Sequence, residues 1–136
     1  MARSESAVRR AIDGLKLDDV LARVIDERRW PEERAQEALL WYRRFLWLSY
    51  KHWKSGVHAI NRDSDELWHA HITYTRKYSR DCEQIFGRFL DHNPVAGRLT
   101  PQDRKLLDQS VEWYREEFQA PPPDPIGQCY KPPGPS

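Results

Sequence analysis

The chain has little that would suit it to an oxidising compartment, a membrane or a nucleic acid. Two cysteines in 136 residues, Cys82 and Cys129, cannot build a disulfide framework. The fold must therefore rest on a packed core, and reduced thiols lead us to expect a cytoplasmic protein. No apolar run approaches ~18 residues, so no membrane span is expected. Met1 to Asp13 has no apolar segment of the kind a signal peptide needs. With 22 basic and 21 acidic side chains the net charge is +1, which argues against specific nucleic-acid binding. Period-2 alternation is absent too, and with it any strand signal. What is abundant is aromatic: six Trp and six Tyr, enough for a dense helical core or an interface.

These features predict an all-α domain, a small antiparallel bundle of about four helices. Residues 1–16 form a charged segment, expected to be frayed or weakly helical. The helical domain spans 17–119. A tail over 120–136 follows, and seven prolines within 121–136 exclude helix there. A first helix is expected from Asp18 to about Arg29, with Asp18 and Asp19 in its first turn where the dipole favours them. A long second helix should run from Pro31 to about Trp53. A third, capped by Asp63 with Glu66, should carry on towards His92 and stop by Asn93-Pro94. Thr100-Pro101-Gln102-Asp103 announces a fourth, with Leu107, Val111, Tyr114 and Phe118 as its stripe.

The chemistry-bearing residues concentrate in Asp65-Glu66-Leu67-Trp68-His69-Ala70-His71, then Tyr78 and Asp81-Cys82. On one continuous helix, His71 shares an apolar face with Trp68, Tyr78 and Cys82, whereas His69 lies opposite, with Asp65. His69 and His71 therefore cannot chelate one ion from an intact helix, which would need i,i+4 spacing. His71 and Cys82 share a face but stand roughly 16 Å apart along it. A metal or acid–base site is better placed across the hairpin, from His52 and His71 with His58 in the loop between. The competing reading is structural: a core histidine paired with Tyr, Thr or backbone. Asp65 and His69, at i,i+4, suit a local contact. Cys82 suits a small buried hydrophobe.

Leu39 to Arg62 carries five bases, no acid and six aromatics. Most of the aromatics fall on the core side, and Arg43, Arg44, Lys51 and Lys54 on the other. An anionic-surface role for those bases is the weaker reading. Leu40 and Trp47, one heptad apart among them, form a candidate interface for a protein partner or self-association.

Trp30, Tyr42 to Leu46, Asp65 to Ile72, Thr75, Tyr78, Asp81-Cys82, Phe86-Gly87, Phe89-Leu90 and His92 together resemble the glycine-rich-domain-containing-protein-like family, over roughly residues 17–94. The resemblance implies a small helical domain with no established activity. With six Gly, this chain has no glycine-rich region. The leading functional expectation is a non-catalytic binding or accessory domain. It would engage a protein partner or small ligand near Trp-His-x-His through Asp65, Trp68, His69, His71, Tyr78, Asp81 and Cys82. The alternative is a metal-dependent or acid–base enzyme using His71 with His52 or His58, the cofactor being a divalent metal.

Overall fold

The computed structural model describes residues 3–92 and 99–120. Among them are six helices and no strand: α1 (Glu5–Asp13), α2 (Asp18–Arg28), α3 (Glu32–Lys51), α4 (Arg62–Thr73), α5 (Thr75–Phe86) and α6 (Pro101–Phe118). The all-α class stands, but six helices replace the expected four. The Pro-rich tail beyond residue 120 lies outside the described residues, as does Cys129.

The first extra helix is α1, where a frayed or weakly helical segment was expected. Ser4 caps it, its hydroxyl accepting from the Ala7 amide at 3.1 Å, and Glu5 sits in the first turn. Val8 and Ile12, one turn apart, are buried. Burying two such side chains contributes about 1.5–3 kcal/mol each, enough to dock a helix of this length.

The second arises from a break. The expected third helix parts at Tyr74 into α4 and α5. No proline or glycine stands there. Instead the Thr73 hydroxyl donates to the Ala70 carbonyl at 2.6 Å, and the Tyr74 amide turns back to the His71 carbonyl. Such local bonds compete with the helical ladder. The cap of α4 is also displaced from the expected Asp63. It is Asn61, whose side chain accepts from the Ser64 amide at 2.9 Å. Asp63 and Glu66 instead pair with Arg34 and Arg28.

Helix α3 is the axis of the fold and touches α1, α2 and α4. It is covered on nearly every side, with Tyr42, Phe45, Leu46, Trp47 and Leu48 all buried. That corrects the expectation of a solvated basic face for Arg43 and Arg44, which are partly buried, whereas Lys51 and Lys54 are exposed as expected. Arg43 is half-buried and donates to the carbonyls of Ile12, in the last turn of α1, and Leu15, just beyond it. Burial holds its pKa below the usual arginine value. Arg44 donates to the Tyr114 hydroxyl, and Lys51 pairs with Glu5. Trp47 is buried beneath the Arg9 guanidinium, while Leu40 is 47% exposed. The two do not form one exposed patch, because α1 covers the Trp47 end of their line.

Helix α6 begins as expected, with a capping box between Thr100 and Asp103. It packs Leu107 into the main core, and Tyr114 with Leu48 and Ile60 into a second cluster.

Candidate functional site

The break at Tyr74 decides what the Trp-His-x-His segment can do. Residues ten apart on a straight helix would be roughly 15 Å apart. Here Trp68 Nε1 donates to the Tyr78 hydroxyl at 2.9 Å, and His71 Nε2 lies 2.8 Å from Asp81 Oδ2. Helix α5 is folded back against α4, and the polar groups of the segment are sorted into two sets.

The first set is internal. His71 is 1% exposed, and its Nδ1 lies 2.7 Å from the Tyr42 hydroxyl. With a neutral ring, Nε2–H donates to Asp81 and Nδ1 accepts from Tyr42, so each group has its partner. Lys77 also donates to Asp81 at 2.9 Å. Burial holds the His71 pKa below its ordinary value, against the pull of the Asp81 carboxylate. Burial likewise keeps the Tyr42 hydroxyl protonated far above its ordinary range. The bonded chain runs Tyr42–His71–Asp81–Lys77, and only its last member, the Lys77 ammonium with a quarter of its side chain exposed, reaches the surface. The Tyr78 hydroxyl donates onward to the Leu90 carbonyl at 2.6 Å, and its pKa too is raised by burial.

Cys82, also buried, has its thiol pushed up by burial, with the Leu90 backbone and Tyr78 opposing. A thiolate is thus disfavoured, and iodoacetamide should modify Cys82 only once the domain is unfolded. Peptide mapping after native labelling checks this; prompt native alkylation of Cys82 would contradict it.

The second set is at the surface. Asp65 and His69 stand one turn apart on α4, and His92 reaches them from the segment after α5. His92 Nε2 lies 3.0 Å from His69 Nε2 and 3.2 Å from Asp65 Oδ1, with His69 Nε2 3.5 Å from Asp65 Oδ2. The His92 ring stacks on Trp68 with centroids 3.7 Å apart, and the His69 ring stands across it at 71°. Side-chain exposure is 9% for His92, 28% for Asp65 and 43% for His69, so the group opens outward. Among the described residues, these are the donors close enough together to hold a metal ion.

The sequence reading placed a metal at His52, His58 and His71, and the structure does not assemble them. His52 stacks on Trp113 with centroids 3.8 Å apart. His58 Nδ1 lies 2.9 Å from the Ala59 carbonyl oxygen, and its amide is tied to Ser110. His71 has both nitrogens engaged inside the core. Among the described residues, the three histidines do not come together as one metal-ligating group.

The member that residue spacing missed is His92. It lies 23 positions beyond His69, so only the fold-back of α5 could bring it in. Asp65 and His69 at i,i+4 were the readable half of the group.

These features define an all-helical domain with a closed polar core and one convergent His-His-Asp edge. The chain belongs to the UCP032817-like family, whose model matches residues 8–112. That corrects the resemblance to the glycine-rich-domain-containing-protein-like family: the family that matches is a different one, and its match begins inside α1. No curated protein and no solved structure matches the chain. Among the described residues, no helix is long and apolar enough to cross a membrane.

Proposed function

We propose that the chain is a binding domain whose working surface is the edge where Asp65, His69 and His92 converge. It takes a small ligand there, or a side chain presented by a partner protein. What carries this reading is the sorting of the polar groups. Of the candidate cluster, His71, Tyr78, Asp81 and Cys82 are buried, and His71, Tyr78 and Asp81 are bonded to one another or to neighbours inside the domain. Asp65 and His69 are instead partly exposed, and they converge with the more deeply seated His92 on a rigid base.

Trp68 supplies that base. It is 4% exposed, is held by its bond to Tyr78 and carries the His92 ring. A pre-positioned group loses less on binding than one that must be ordered first. As part of the same reading, the unpaired, buried Cys82 thiol suits a reducing, cytoplasmic setting.

Histidine side-chain resonances in long-range proton–nitrogen spectra test the proposal. The probes are inorganic phosphate, acetate and a panel of divalent cations. At least one should shift the His69 and His92 rings together and leave His71 unmoved. A response led by His71, or no response at the surface pair across the panel, would sink the reading.

A further inference from the structure

We propose that Asp65, His69 and His92 bind a single first-row divalent transition-metal ion. This names the ligand of the binding edge and so rests on the reading above. The first observation is a shortage of protons. His92 Nε2 can carry one hydrogen, yet it faces both His69 Nε2 at 3.0 Å and Asp65 Oδ1 at 3.2 Å. His69 Nε2 faces the other oxygen of the same carboxylate at 3.5 Å. A single ring proton cannot serve both neighbours of His92, and any nitrogen lone pair left there faces another electron-rich atom. A cation among the three atoms satisfies them all at once.

The second observation is the spacing. An ion bonded at ~2.0–2.2 Å sets neighbouring ligand atoms about 3.0 Å apart at right angles and about 3.4 Å apart at the tetrahedral angle. The separations of 3.0, 3.2 and 3.5 Å fall in and around that range without rearrangement.

The third is support. Asp65 and His69 lie one turn apart on α4, the spacing by which a helix directs two ligands at one ion. His92 is fixed from behind by the Trp68 ring, and its chain segment by the Tyr78 bond to Leu90. A site built in this way is positioned before the ion arrives.

The donor set chooses the class of ion. Two imidazoles and one carboxylate suit Zn(II), Fe(II), Co(II), Ni(II) or Cu(II). They do not suit Ca(II) or Mg(II), which prefer oxygen throughout. Three protein ligands on an outward-facing group leave positions for water or an exchangeable donor, as in open metal sites.

The test is Co(II) titration of the full chain after chelator treatment, followed by visible absorption and calorimetry. About one ion per chain should bind, with ligand-field bands, and Mg(II) should not compete. Asp65→Asn and His69→Gln alter partly exposed side chains and should melt as the parent does. Each should weaken Co(II) binding by roughly 100-fold or more, because even outer-shell partners of metal ligands cost 10–100-fold. His92→Gln should do the same, whereas His52→Gln and His58→Gln should leave binding unchanged.

Absence of Co(II) binding, or binding that survives His69→Gln and His92→Gln, overturns the inference. The spectra of the metal-free protein separate the two levels of the claim. If Co(II) fails to bind but phosphate or acetate moves His69 and His92, the ion is wrong and the binding edge stands. If neither moves them, both fall.

Discussion

Replacing His71 with alanine is expected to cost the domain about 3–5 kcal/mol, a large share of the 5–15 kcal/mol that holds a typical domain together. The ring is 1% exposed and bonded on both sides, to Tyr42 at 2.7 Å and Asp81 at 2.8 Å. Removing it opens a cavity and leaves the Tyr42 hydroxyl without its acceptor in a buried place. It also withdraws a donor from a carboxylate that then depends on Lys77. Each buried group left unsatisfied costs about 1–3 kcal/mol, and the cavity adds to that. His69→Ala should change stability by no more than about 0.5 kcal/mol, as surface substitutions generally do. Urea denaturation of the two variants checks this, and equal losses would refute the sorting of the two histidines.

The same ring predicts a pH dependence. Burial lowers the His71 pKa in the folded chain relative to the unfolded chain. Above the ordinary histidine value of ~6.5 the contribution is complete. As pH falls below it, the unfolded chain takes up the proton first, and stability declines towards the folded pKa. The decline for one proton is at most about 1.4 kcal/mol per pH unit. His52, whose pKa is also lowered by burial, adds in the same direction. In His71→Ala the acid sensitivity should be reduced, leaving the share from His52.

Trp68→Ala should be comparably severe, costing about 3–5 kcal/mol as large aromatic truncations in cores do. The indole packs against Phe45 at 4.5 Å between ring centroids, donates to Tyr78 and carries His92 on its face. It therefore joins the core to the proposed binding edge, and its loss should release His92 as well as weaken the fold. Trp68→Phe keeps an aromatic ring but not the N–H, leaving the Tyr78 hydroxyl without that donor. It should cost less, about 1–2 kcal/mol. Melting and histidine spectra on both variants decide it. A Trp68→Ala protein that melts as the parent does would contradict the role assigned to this ring.

Much of the architecture was readable because its signals are local. The acids after Leu17, Pro31 with Glu32 and Glu33, and the Thr100–Asp103 box act within one turn. Each marks a helix start within about a residue of where it falls. The split at Tyr74 was not readable in the same way. Ile72-Thr73-Tyr74-Thr75 is a run of β-branched and aromatic residues, a weak helix former but not a breaker. What stabilises the break is tertiary, since Trp68–Tyr78 and His71–Asp81 can bond only once α5 turns back. The faces assigned to His69 and His71 survived the break because both precede it on α4. His92 did not enter the site in sequence terms because it follows the break. Arg43 and Arg44 misled for a related reason: a cationic stripe looks solvated until other segments offer it acceptors, here backbone carbonyls for Arg43 and the Tyr114 hydroxyl for Arg44. The N-terminal helix had a legible signature in Ser4 and in Val8 with Ile12, overshadowed by the charge around it.

The central claim is a division of labour: the internal histidine holds the fold and the surface histidines hold the ligand. Thermal melts with and without Co(II), run on the parent chain, His69→Gln and His71→Ala, test it most directly. Binding to the native state alone adds about 2.7 kcal/mol at roughly a hundredfold excess over Kd, which raises Tm by several degrees. The account predicts that rise in the parent, and the same rise from a lower starting point in His71→Ala. In His69→Gln it predicts an unchanged starting point and no rise. A Co(II)-dependent rise that persists in His69→Gln, or one that disappears in a still-folded His71→Ala, would contradict it.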